Sequence, residues 1–216
     1  MNKTFKPKII YLLICFVLSL LISNQYLLKF ENTLFKSGNQ EHLSIFQEDS
    51  LSYIKEAEKI RTDIDNGKNF LESGGAYKFS FLYPRIIFFF NKIVNNNQIM
   101  VNDSAIELKN YRLFIFFQIS IFFSSLVFLY KVISKILEKR LSLIIISVLF
   151  LNPIIFQWHL AFLTESLFLS VLIFSICFLL ESKKNFHFFF LGILIGVLYM
   201  LRTVALLYPL IIIIYL

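Results

Sequence analysis

The apolar positions of this chain gather into long blocks, not the short alternating runs of a half-buried sheet. A helix that crosses a bilayer needs ~20 mainly apolar residues. Blocks of about that length occur at residues 9–28, 111–132, 141–158 and 161–180, and a longer run covers 186–216. The last run, interrupted at Arg202 and Pro209, reads either as one tilted helix or as two passes, 186–201 and 203–216, hinged near Arg202. It stops inside an apolar stretch at Leu216, which leads us to expect a C-terminally truncated product.

Residues 29–110, between the first two blocks, are polar and read as a long loop with elements of its own. From Ser52 onward, Tyr53, Ile54, Ala57, Ile60 and Ile64 recur on one helical face, with Lys55, Glu56, Glu58, Lys59 and Asp63 on the other. A helix so divided suits the membrane surface, lying flat with its apolar face down. Gly67, Gly74 and Gly75 then punctuate "NGKNFLESGGAY". The stretch "FSFLYPRIIFFFNKIV", Phe79–Val94, is apolar but short for a span, and reads as an interfacial or re-entrant helix. "QWHL", Gln157–Leu160, reads as a tight hairpin between two spans. The predicted fold is an all-α, polytopic transmembrane helical bundle. It forms one membrane module over 1–216, with a long extracytoplasmic first loop containing interfacial amphipathic helices.

Composition strengthens this picture. The chain is 57% hydrophobic and 16% charged, with a mean hydropathy of +0.72, whereas soluble domains carry roughly 25% charged residues. A net charge of +7 would suggest nucleic acid in a soluble protein. Here the bases sit at block ends, where the positive-inside rule accounts for them, and no nucleic-acid partner is expected. Lys3, Lys6 and Lys8, then Lys131, Lys135, Lys139 and Arg140, then Lys183 and Lys184 fall on one side if each block crosses once. That side is expected to be cytoplasmic, so residues 29–110 lie outside, their ten bases offset by eleven acids. The first block lacks an A-x-A-like cleavage site and reads as an uncleaved anchor. The expected location is the cytoplasmic (inner) membrane, multi-pass, with a cytoplasmic N-terminus. Cys15 and Cys177 lie in apolar runs, and no CxxC or Cys/His pattern suggests a metal or redox site.

Four positions carry candidate chemistry. Asp49, preceded by Glu48, opens the amphipathic helix. Asp there is a favoured N-cap and suits the helix dipole, but a carboxylate at the mouth of a membrane cavity also suits a general base or a divalent-metal ligand. Glu165 lies near the start of a block, where an ionisable group is expensive and often functional, unless it reaches water or caps the helix with Thr164. Arg202 interrupts an apolar run, either snorkelling to headgroups or serving a site. His159, beside Trp158, reads as interfacial belt. Gly192 and Gly196 read as a small-residue helix-packing pair.

Four stretches, in order, carry a family likeness: "EDSLSYIKEA", with Asp49, Tyr53 and Ala57 spaced four apart; "YPR" at Tyr83–Arg85; "LTESLFLSVLIF" with Thr164-Glu165; and "LGILIGVLYMLRTVALLYPLIII" with Arg202. Together they resemble the N-terminal portion of GT-C class membrane glycosyltransferases, of the protein O-mannosyltransferase-like and aminoarabinose-transferase-like kinds. The sequence departs from that pattern at Ser50, which follows Asp49 where many relatives have a second acid, and in having a single Pro84. The resemblance implies transfer of a sugar from a polyprenyl-phosphate-linked donor to a glycan, lipid or protein acceptor on the extracytoplasmic side. It makes Asp49 the base with Glu48 as the accompanying carboxylate, and gives substrate and phosphate to Tyr53, Arg85, Glu165 and Arg202. A divalent metal, Mg or Mn, would be held by Asp49. The alternatives are a non-catalytic transport or flippase component, or a structural membrane subunit, of cell-envelope polysaccharide assembly. The enzyme reading expects Asp49, Glu165 and an arginine to converge on one laterally open cavity.

Overall fold

The computed structural model describes residues 17, 21, 48–74, 80–94, 99–102, 105–108, 111–160, 163–181 and 185–207. The chain divides into two units, Met1–Ile45 and Phe46–Leu216. In the first, only Val17 and Leu21 are described; both are helical and exposed. The rest of the expected first span lies outside the described residues, as do Cys15, His42 and the run from Tyr208 to Leu216.

Among the described residues of the second unit, the regular elements are helical apart from one antiparallel strand pair. Its elements are α1 (Glu48–Asp65), α2 (Leu82–Ile93), β1 (Ile99–Asn102), β2 (Ala105–Leu108), α3 (Tyr111–Ile133), α4 (Lys139–Leu151), α5 (Pro153–Leu160), α6 (Thr164–Leu180) and α7 (Asn185–Leu201), followed by a 3-10 segment, Thr203–Leu207. Strands β1 and β2 pair antiparallel, Ile99 with Leu108 and Asn102 with Ala105. The sequence pattern shows this stretch only as a lead into the next span.

Helix α3 runs along α6, and α6 along α7. The facing surfaces bury small polar residues, Ser125 from α3 and Ser166 and Ser170 from α6. Such side chains let backbones approach closely, and two of these hydroxyls bond within their own helix, Ser125 Oγ to the Phe122 carbonyl at 2.7 Å and Ser170 Oγ to the Ser166 carbonyl at 2.8 Å. By contrast, a Cβ added at Gly192 or Gly196 would meet nothing within 4 Å. The expected close packing at that pair is therefore not seen among the described residues.

The amphipathic helix begins one turn earlier than its apolar stripe suggested, at Glu48. Its apolar face does not lie open for a membrane surface. Tyr53, Ile54 and Ala57 are buried with Tyr83 and Ile87 of α2, Phe114 of α3, Leu167 of α6 and Leu201 of α7. An apolar stripe takes the nearest apolar surface on offer, and α2 with the helix ends of the bundle supplies one.

The segment expected to cross as one span over 141–158 is broken. Helices α4 and α5 meet at an angle of 52°. Pro153 has no N–H to continue the ladder, and Asn152 Oδ1 caps the new helix, accepting from the amides of Ile154 (2.9 Å) and Ile155 (3.3 Å). Gln157–Leu160 thus lies inside helix α5, not in a hairpin. Likewise α7 ends at Leu201 and the chain turns at Arg202.

Among the described residues, Leu113–Ile133 is the single helix both long and apolar enough to cross a membrane; α4 with α5 passes only as a joined pair. Thr164–Leu180 and Phe188–Leu201 are apolar but shorter. Seventeen residues rise about 25 Å, under the ~30 Å of a typical hydrocarbon core.

Candidate functional site

The four stretches singled out in the sequence meet around one cluster. Tyr53 of α1 packs edge-on against Tyr83 of α2, with ring centroids 5.1 Å apart. Tyr83 packs likewise against Phe114 at 6.1 Å. Leu167, in the first turn of α6, and Leu201, at the end of α7, complete the contact. This brings the start of α6 and the end of α7 together, and with them two charges: Arg202 Nη1 lies 3.0 Å from Glu165 Oε1. Both side chains remain partly exposed, so the pair itself stabilises the fold by roughly 1 kcal/mol or less. Thr164 Oγ1 donates to the other carboxylate oxygen at 3.3 Å. Glu165 therefore orients Arg202, and both side chains keep part of their surface exposed.

Asp49 lies in the first turn of α1, four residues before Tyr53 and on the same helical stripe as Tyr53 and Ala57. That stripe is the one buried against α2 and the ends of α3, α6 and α7. The side chains of Glu48 and Asp49 lie outside the described residues, so the backbone places Asp49 by register alone. The next residue, Ser50, is buried, and its hydroxyl meets no partner among the described residues.

Arg85 differs from its expected role. It is buried beneath the segment that follows α1 and bonds four backbone carbonyls: Nη1 to Phe81 at 3.0 Å, and Nη2 to Phe70, Leu71 and Ser73 at 3.3, 3.2 and 3.0 Å. Its guanidinium also lies over the rings of Phe81 (3.8 Å) and Phe70 (5.3 Å). This is a loop clamp, whereas Arg202 is the partly exposed cation paired with Glu165. A second anchor holds the same loop: Asp63 accepts from Lys68 Nζ at 2.7 Å and from the Gly74 amide at 2.8 Å. Those two bonds, the lysine first, hold the Asp63 carboxyl below its ordinary value. Gly74 adopts φ +95°, a left-handed backbone that glycine takes without strain.

Behind the ion pair runs a set of buried polar contacts that the sequence did not announce. The Tyr83 hydroxyl donates to Gln118 Oε1 at 2.7 Å. Burial, then the neighbouring Tyr53 and the Glu165 charge, push that hydroxyl well above its usual range, so it remains a donor. Gln118 Nε2 donates to the His159 carbonyl at 3.3 Å, and His159 Nδ1 lies 2.6 Å from Ser166 Oγ. His159, read as belt, is buried, its ring 4.1 Å from that of Phe122. A glutamine inside a span-length apolar run was the one signal that could have found this network.

Among the described residues no group of three or more His, Cys, Asp or Glu side chains could hold a metal ion. The described donors at the site do not fit a divalent cation: Glu165 is the single carboxylate and faces Arg202. The side chain of Asp49, where the metal is expected, lies outside the described residues. No family model, curated protein or solved structure matches this chain.

Proposed function

We propose that this chain is a GT-C-like module of the cytoplasmic membrane that transfers a sugar from a polyprenyl-phosphate-linked donor to an acceptor outside. One observation carries the reading: stretches more than a hundred residues apart in sequence converge, bringing Tyr53, Tyr83, Glu165 and Arg202 to one end of the helices. The opposite end of α6 supports the orientation. There Glu181 pairs with Lys135, close in sequence to Lys139 and Arg140, and a basic cluster is the mark of a cytoplasmic face.

In this reading α3 crosses the bilayer, α4 with α5 form a broken crossing, and α6 and α7 cross where the bilayer thins to meet them. The donor slides in from the side, with its phosphate at headgroup depth. Arg202, held by Glu165, turns its remaining N–H groups to the phosphate, and paired N–H···O bonds to an anion are strong and directional. The acceptor oxygen bonds to the anomeric carbon as the carbon–oxygen bond to phosphate breaks. The departing polyprenyl phosphate keeps that electron pair, and the acceptor's proton passes to Asp49.

The test is transfer of radiolabelled sugar from a short-chain polyprenyl-phosphate donor by the full chain in proteoliposomes. Asp49→Asn is expected to lower the rate by about 10²–10⁴-fold, the usual worth of a general base, without changing the helical circular dichroism. An unchanged rate removes Asp49 from the chemistry. Donor binding without transfer in the wild type returns the protein to the transport or flippase alternative.

A further inference from the structure

The Glu165–Arg202 pair is partly exposed, yet the backbone on each side of it is tied into one buried chain of hydrogen bonds. Two residues before Arg202, the Met200 carbonyl accepts from the Phe81 amide at 3.0 Å and from Ser80 Oγ at 3.4 Å. Ser80 Oγ in turn accepts from the Tyr83 amide at 3.1 Å. From the Tyr83 hydroxyl the chain continues through Gln118 to His159 and Ser166, and Ser166 follows Glu165 directly. The chain therefore begins beside one partner of the ion pair and ends beside the other, having passed through α2, α3, α5 and α6. Ser80, Tyr83, Gln118, His159 and Ser166 are all buried.

We infer that this buried chain is a positioning device for the Glu165–Arg202 pair, with Gln118 as its central positioning residue. An exposed pair pays side-chain entropy to stay in one geometry and gains little from its own Coulomb energy. A site that must present a guanidinium in fixed register needs that geometry supplied from behind, by bonds that water cannot replace. Gln118 suits the task. Its carbonyl accepts from α2 while its amide donates to the end of α5, so one side chain spaces two elements against a third. His159 closes the chain. Donation from Nδ1–H to Ser166 leaves Nε2, which has no partner among the described residues, as an unmet acceptor instead of an orphaned N–H, the rarer of the two in buried sites.

The inference takes from the proposed function only the choice of site, and its test does not read sugar transfer. The probe is phenylglyoxal, followed arginine by arginine by mass spectrometry on the full chain in detergent. Glu165→Gln sets the rate for an Arg202 released from its partner. Tyr83→Phe, Gln118→Met and Ser166→Ala, which cut the chain on three different elements, are each expected to raise modification of Arg202 about fivefold, the equivalent of one lost hydrogen bond. Arg61, on the far face of α1 beside Glu58 and Asp65, is expected to keep its wild-type rate. Tyr83→Phe and Ser166→Ala together should give less than the product of their separate effects, because both open the same chain. Arg202 rates that stay at wild type in all three variants overturn the inference. So does a rise shared by Arg202 and Arg61, which would mark general loosening.

Discussion

At the scale of single residues, two arginines and two acids separate by what surrounds them. Arg85 bonds carbonyls and is a clamp; Arg202 is partly exposed and meets a partly exposed carboxylate. The resemblance gave both to substrate and phosphate, and nothing local in the sequence distinguishes a guanidinium that closes a loop from one that awaits an anion. Asp63 makes the point testable. Its partners lower its folded-state value below the ordinary 3.8, so its contribution is present above pH 3.8 and is lost as pH falls through the lower folded value. Glu58 runs the other way: burial raises it above 4.5, so its strain is relieved as pH falls through the raised value. Hydrogen exchange at the Gly74 amide, corrected for its intrinsic pH dependence, is expected to quicken below about pH 4 in the wild type. In Asp63→Asn it should be fast already at neutral pH, with no such step. A wild-type amide that stays protected well below that pH would mean that Asp63 does not hold the loop.

At the scale of elements, helical periodicity located α1 well because its apolar and polar faces are cleanly divided. What periodicity leaves open is the surface that an apolar face meets, since lipid and protein are equally apolar. The structure chooses protein: Ile60 is fully buried, while Lys55 opposite is exposed. Ile60→Ala is accordingly expected to cost about 2–5 kcal/mol, the range for emptying a packed site, and Lys55→Ala about 0.5 kcal/mol or less. Denaturation midpoints in one detergent compare them, and equal midpoints would return α1 to the membrane surface. The break between α4 and α5 was less legible, because Asn152-Pro153 lies in a run whose hydropathy alone reads as one span. The cap made by Asn152 Oδ1 and the missing Pro153 N–H are short-range features that a span-length window averages away. The hairpin Ile99–Leu108 was hidden for a similar reason: four-residue strands are too short to show a period.

At the scale of the whole molecule, the order of apolar blocks carried much of the described helical layout, because α3, α6 and α7 each coincide with one. It could not carry the convergence of their ends. Gln118 lies 35 residues from Tyr83 and 41 from His159, and no spacing rule links such partners. In the proposed function this convergence receives a polyprenyl phosphate from the side. The most direct measurement is photo-crosslinking of the full chain in liposomes, with a short prenyl phosphate carrying a benzophenone near its phosphate and peptide mapping of the adducts. Adducts are expected to be confined to the first turn of α1, the start of α6 and the Arg202 turn, competed by unlabelled prenyl phosphate and lost in Arg202→Ala. Adducts spread evenly over the lipid-facing helices, or unchanged in Arg202→Ala, would contradict the proposed function.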